Sequence, residues 1–196
     1  MTREIQVERA THETSIKLSL RLEGKGLSKI DTGIPFFDHM LTLFSRHGLF
    51  DLAITGRGDV EVDYHHTIED IGICLGEAFR KALGDMKGIT RFGNAVVPMI
   101  EALASVVVDI SARPHLVYNV TIKNEKIRQF DVELVEEFFR AFSQSSGVCV
   151  HVNVEYGANA HHVVEAVFKA FGRAMSEAVR IDTRVQDIPS TKGVLG

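Results

Sequence analysis

Little in this chain points to a membrane, a nucleic acid or an oxidising compartment. Only two cysteines occur, Cys74 and Cys149, both among apolar neighbours. Two thiols make no disulfide framework, and buried, reduced side chains are expected. Basic charge is not in excess: 22 Lys and Arg stand against 26 Asp and Glu, for a net charge of −4. The electrostatic footprint of a nucleic-acid binder is therefore missing. Long apolar runs are also missing. The longest lies near Val106–Val108, too short to cross a bilayer. Met1-Thr2-Arg3-Glu4 lacks the apolar core of a signal peptide. The composition, 45% hydrophobic and 24% charged, suits a globular protein with a sizeable core. A cytoplasmic setting is expected, with no nucleic-acid or membrane partner.

What the chain does have is one unusual motif, twice. His65-His66-Thr67-Ile68-Glu69 reads HHxxE, and so does His161-His162-Val163-Val164-Glu165, 96 residues later. On a helix the first histidine and the glutamate share a face, and the second histidine lies three residues from the same glutamate. Two copies at about half the chain length point to a duplicated fold with two related metal sites.

The surrounding pattern repeats as well. Residues 15–22 alternate as a half-buried strand, and Gly24 and Gly26 mark a turn. A helix is predicted over 36–47, ending at Gly48. A strand follows at Leu49–Thr55, then a loop from Gly56 to Asp59. A second helix runs from about His66 to Leu83 and is closed by Gly84. In the second half, strands are predicted at 94–99, 103–110 and 115–122, and a helix at about 132–145. A strand at Val148–Val154 and a long helix from about Ala160 complete it. Phe36–Gly48 aligns with Leu134–Gly147, and His65–Gly84 with His161–Val179. No linker divides the chain. The expectation is one α+β domain over residues 1–196, built from pseudo-symmetric halves of about 1–90 and 91–196, each with strands and two helices.

Neutral imidazole and carboxylate suit Mn, Fe, Zn or Ni. His39 on the first helix is the repeat-equivalent of Glu137, so each half offers two histidines, a glutamate and one more donor. Four protein ligands per metal would leave open positions, as a catalytic site requires. Six-coordination by N and O donors favours Mn(II) over tetrahedral zinc. His12, His47, His115 and His151 have simpler explanations. His47, for instance, precedes a helix-ending glycine, where an imidazolium suits the dipole. Basic residues beside small ones recur at Arg91-Phe92-Gly93, Ser111-Ala112-Arg113-Pro114 and Pro189-Ser190-Thr191-Lys192-Gly193. As a set they suit a phosphorylated substrate. Ser190–Gly193 resembles part of a P-loop but lacks its upstream glycine, which excludes nucleotide binding.

These stretches, with Arg9–Thr14, Thr32–Leu41, His65–Gly72 and Gly157–Lys169, resemble the imidazoleglycerol-phosphate dehydratase family over nearly the whole chain. The resemblance implies a duplicated fold like the second domain of ribosomal protein S5. It implies two Mn(II) ions per active site, one held by His39, His66, His161 and Glu165, the other by His65, Glu69, His162 and Glu137. It implies a homo-oligomer, a shell of 24 chains with active sites shared between subunits. Substrate contacts would come from Glu13, His39, His47, His65, Arg91, Arg113, His161, Lys169, Ser190, Thr191 and Lys192. Glu13, Glu69 and Glu165 would carry catalysis, with Glu13 moving a proton. The implied reaction is Mn(II)-dependent dehydration of D-erythro-imidazoleglycerol phosphate to imidazoleacetol phosphate in histidine biosynthesis, through a metal-stabilised imidazolate.

Two positions depart from the family pattern: Glu137 where histidine is common, and Ile100 where aspartate is common. Ile100 motivates one competing reading, a non-catalytic metal-dependent assembly or storage paralogue. A dinuclear phosphoesterase is the other. Such sites usually supply several aspartates, whereas the candidate ligands here are mostly histidine.

Overall fold

The structure is a computed structural model that describes residues 3–195. In chain order the elements are β1 (Glu4–Ala10), β2 (Thr14–Arg21), β3 (Ser28–Asp31), α1 (Pro35–Gly48), β4 (Asp51–Gly58) and α2 (His65–Leu83). They continue as β5 (Phe92–Met99), β6 (Ala102–Ile110), β7 (His115–Asn119), the short pair β8 (Lys126–Ile127) and β9 (Phe130–Asp131), α3 (Leu134–Ser146), β10 (Val148–Tyr156) and α4 (Ala160–Val179). One sheet has the order β1-β2-β4-β3 and the other β5-β6-β10-β7. Apart from β8 and β9, the second half retraces the first. In each sheet the last strand pairs in parallel after a helical crossover, β3 with β4 and β7 with β10.

Alternation drives the sheets. Along β2 and β6 every second residue is buried, so one face of each sheet is apolar and packs on helices. The helices pair across the halves, α2 with α3 and α1 with α4. Phenylalanines fill the space between them: Phe44 stacks on Phe171 at 5.0 Å, and Phe138 on Phe168 at 5.4 Å. Glycines let the backbones approach. A Cβ on Gly76 would sit 2.7 Å from the Phe142 carbonyl oxygen, and one on Gly172 2.6 Å from that of Phe44.

Several boundaries differ from the sequence expectation. β1 and β3 were not expected. β1 alternates only through Ile5 and Val7, of which Val7 alone is buried, and β3 buries nothing, so neither carries a long apolar alternation. Gly56, Arg57 and Gly58 extend β4 rather than forming a loop. Gly58 tolerates the close approach of α2, because a Cβ there would meet Thr67 Oγ1 at 2.1 Å. The predicted strand at 115–122 stops at Asn119, and the predicted helix at 132–145 occupies 134–146. The helix-ending residues also align differently. The left-handed cap of α1 is Leu49 (φ +58), not Gly48, and it matches Gly147 (φ +76) after α3. Adjoining serines confirm the register: Ser45 donates to the Phe50 carbonyl and Ser143 to that of Val148. With that register His39 and Glu137 are equivalent, as the sequence indicated.

Candidate active site

Both HHxxE motifs lie in the first turns of long helices, α2 and α4. Local chemistry starts each helix there. The Asn159 side chain accepts from the backbone N–H groups of His161 and His162, and Asp63 accepts from that of His65 at 2.7 Å. Apolar residues behind the motif, Ile68 and Ile71 in α2 and Val164 and Val167 in α4, are buried and hold the helices down.

In α4 the histidine and glutamate meet as helical spacing requires. His161 Nε2 lies 3.2 Å from Glu165 Oε2, and His39 Nε2 from α1 lies 3.4 Å from the same oxygen. These are the one group of three or more potential metal ligands with donor atoms within 4.8 Å of each other among the described residues. The two imidazoles come from different halves of the chain. Lys169 takes the other oxygen, Glu165 Oε1, at 2.7 Å. Glu165 is buried, which alone would raise its pKa, but the hydrogen bond and charge of Lys169, with His39, hold it below the ordinary carboxylate value. It is thus an anionic donor beside two imidazoles, a set that fits Mn(II) and other borderline divalent metals. His47, nearby on α1, is depressed by burial first and by the charges of Lys169 and Arg173 next. That differs from the dipole-stabilised imidazolium expected from its place in the sequence.

The remaining candidates lie apart from this group. His66 Nδ1 is 3.0 Å from Asp59 Oδ2 and 3.9 Å from Glu13 Oε2. The Asp59 hydrogen bond, more than any other influence, raises the His66 pKa. Asp59 also ties its backbone N–H to the Glu13 carbonyl, while Thr11 Oγ1 accepts from the Glu13 backbone N–H at 3.1 Å. His65 and Glu69 make no contact like that of His161 with Glu165 among the described residues. His162 Nδ1 lies 2.7 Å from Glu101 Oε2. Glu137 lies 3.5 Å from Arg140, whose closer partner is Glu136.

The fold brings residues of the three basic stretches to one place. Arg91, Ser111, Arg113, Ser190, Thr191 and Lys192 line one cavity of about 520 Å³. Arg91 is already engaged there. Its guanidinium grips Asp109 (Nε to Oδ1 2.7 Å) and donates to the Pro189 carbonyl at 2.8 Å. It anchors the C-terminal segment that carries Ser190 and Lys192. Arg113 and Lys192 have no acidic side-chain partner among the described residues. None of the candidate metal ligands lines this cavity.

Sequence reasoning passed over Asp59, Glu101 and Asp109. None belongs to a recognisable motif, and only the folded chain brings them to His66, His162 and Arg91. Ile100 is 79% exposed at the β5–β6 turn.

The family model described as imidazoleglycerol-phosphate dehydratase matches residues 32–175. Proteins of that name from Geobacter sulfurreducens and Acetivibrio thermocellus are 58% and 52% identical to this chain, with all of each protein and of this chain aligned. The crystal structure of the Staphylococcus aureus imidazoleglycerol-phosphate dehydratase superposes with a TM-score of 0.83 at 41% identity, covering 91% of this chain and 99% of that one. The Pyrococcus furiosus protein, solved in complex with (S)-C348, gives 0.84 at 39% identity, covering 96% and 100%. With the duplicated α+β fold and the paired HHxxE helices, these likenesses show that the chain belongs to the imidazoleglycerol-phosphate dehydratase family of hydro-lyases.

Proposed function

We propose that this chain dehydrates D-erythro-imidazoleglycerol phosphate to imidazoleacetol phosphate with two Mn(II) ions at each active site. The observation that carries the reading is the convergence of His39, His161 and Glu165 on one point, with donors of the type Mn(II) takes. His66 would complete this set, and His65, Glu69, His162 and Glu137 would form the second. When bound, the metals supply Lewis-acid stabilisation of negative charge developing in the substrate's imidazole ring.

The chain's own groups supply the rest. Arg113, Ser190, Thr191 and Lys192 bind the phosphate, with Arg91 holding their segment in place. Glu13 moves the proton. It is an exposed carboxylate on a tight turn, 3.9 Å from His66, so it can reach a substrate lying against the histidines. Loss of that proton and of hydroxide from the neighbouring carbon leaves an enol, which becomes the ketone. Water is the only other product.

In one chain His66 does not reach His39, His161 and Glu165, and the phosphate cavity contains none of the ligands. Separate parts of this kind are joined when copies assemble, so the active site is proposed to be shared between subunits of a homo-oligomer. A cytoplasmic setting accords with two free thiols, of which burial pushes Cys74 up to about 11. No helix among the described residues is long and apolar enough to cross a membrane.

The test is turnover of imidazoleglycerol phosphate by metal-reconstituted protein, followed as imidazoleacetol phosphate. Activity that disappears with a chelator and returns with Mn(II) is expected. A metal-loaded assembly without turnover would refute the reading and favour a storage role.

A further inference from the structure

The turn between β5 and β6 consists of Ile100 and Glu101, between the paired residues Met99 and Ala102. Ile100 has φ +53 and faces solvent, while Glu101 reaches back to the start of α4. Its two carboxylate oxygens have separate tasks. Oε1 accepts the backbone N–H groups of Ala158 at 3.3 Å and Asn159 at 2.8 Å. Oε2 lies 2.7 Å from His162 Nδ1. An ionised carboxylate only accepts hydrogen bonds, so the imidazole hydrogen belongs on Nδ1 and the ring's lone pair on Nε2.

The first half reaches the same arrangement by another route. His66 Nδ1 faces Asp59 at 3.0 Å, and Asp59 comes from the β4–α2 loop. The repeat-equivalent of the Glu101 turn is the β1–β2 turn. Its Glu13 stands 3.9 Å from His66 Nδ1, beyond hydrogen-bond distance. Two non-equivalent carboxylates thus impose one condition on two equivalent histidines. That pattern fits a requirement on the ring itself, since an inherited contact would use equivalent residues in both halves.

We propose that Glu101 is a positioning residue that holds His162 as the Nδ1–H tautomer and leaves Nε2 as its metal-binding nitrogen. The proposal rests on the reading of His162 as a metal ligand given above. Carboxylates that orient ligating histidines in this way typically change metal affinity about 10- to 100-fold when removed.

Two substitutions separate orientation from mere structural support. In Glu101→Gln the two backbone N–H groups fix the amide oxygen at the Oε1 position. The amide NH2 must then donate to Nδ1, which moves the imidazole hydrogen to Nε2 and blocks the ligating nitrogen. In Glu101→Ala the backbone hydrogen bonds are lost, but the ring chooses its tautomer freely. Mn(II) affinity, measured from the free-ion EPR signal during titration, should therefore fall in the order wild type, Glu101→Ala, Glu101→Gln. The glutamine protein is expected to lose about 10- to 100-fold. Thermal stability of the metal-free proteins should fall in the other order, with Glu101→Ala lowest. Glutamine binding Mn(II) as well as or better than alanine overturns the proposal. A His162→Ala protein that binds Mn(II) as tightly as wild type overturns the ligand reading itself, and the Glu101 proposal with it.

Discussion

Replacing Gly76 by alanine sets two physical effects against each other. Glycine inside a helix costs about 1 kcal/mol relative to alanine, so propensity alone favours the change. The added Cβ, however, would lie 2.7 Å from the Phe142 carbonyl oxygen, 2.8 Å from Ser145 Cβ and 2.9 Å from the Ser146 nitrogen. Two of these atoms are backbone and cannot rotate away, so α2 and α3 must separate. Separation would loosen the phenylalanine layer, in which Phe79 and Phe142 lie 5.7 Å apart. Overpacking of this kind costs about 1–3 kcal/mol, and more where backbone must move. The net expectation is a loss of about 1–2 kcal/mol, or about 2–8 °C in melting temperature for a chain of this size. Calorimetry at matched protein and metal concentrations measures it. A melting temperature equal to or above wild type would refute the close-packed α2–α3 contact. Gly172→Ala, which meets Phe44 in the other helix pair, should behave alike.

Other expectations follow from the same geometry. Glu13→Gln should lower kcat at least about 100-fold while Mn(II) content stays at the wild-type level, since general acid–base groups contribute about that much; near-normal turnover would remove Glu13 from the chemistry. Lys192→Ala should raise KM about 10-fold or more without changing bound metal, by loss of a charge-assisted phosphate contact, and steady-state kinetics beside metal analysis checks it. Leu49→Gly should stabilise the protein by about 1 kcal/mol, because an exposed leucine now holds a left-handed cap that glycine adopts without strain; urea denaturation reads the sign. His66 should show a pH signature in metal-free protein. Asp59 raises its pKa, so the contact contributes stability below the ordinary histidine value and loses it as pH rises through the folded-state value. Asp59→Asn should therefore destabilise more at pH 5.5 than at pH 8.5, and an equal effect at both would show that the ion pair does not form.

The long helices were legible because burial imposes a period. Ile68, Ile71, Leu75, Ala78, Phe79 and Ala82 lie on the inward side of α2, and each is an apolar residue in the sequence. The edge strand β3 leaves no such trace: it is Ser28-Lys29-Ile30-Asp31, held by its pairing with β4 and not by burial. Leu49 was illegible for another reason, since a side chain that tolerates strain looks like any other leucine. In the site, the doubled motif marked its histidines and glutamates as candidates, and the fold brings two of them, His161 and Glu165, together with His39. Asp59 and Glu101 could not be read, because a carboxylate that orients a ring 7 or 61 residues away carries no local spacing rule. Nor could the sequence reveal that Arg91 is engaged by Asp109, as that contact exists only between neighbouring strands.

The division of the candidate ligands has a genetic consequence. A protein altered at His161 keeps a sound His66, and one altered at His66 keeps a sound His161. Under the proposal that the two groups of one site come from different copies, each altered protein alone would have no intact site. Co-assembled in equal amounts, the two inactive chains would build about one quarter of their sites entirely from unaltered parts. Two loss-of-function alleles of this gene could then restore growth together where neither does so alone.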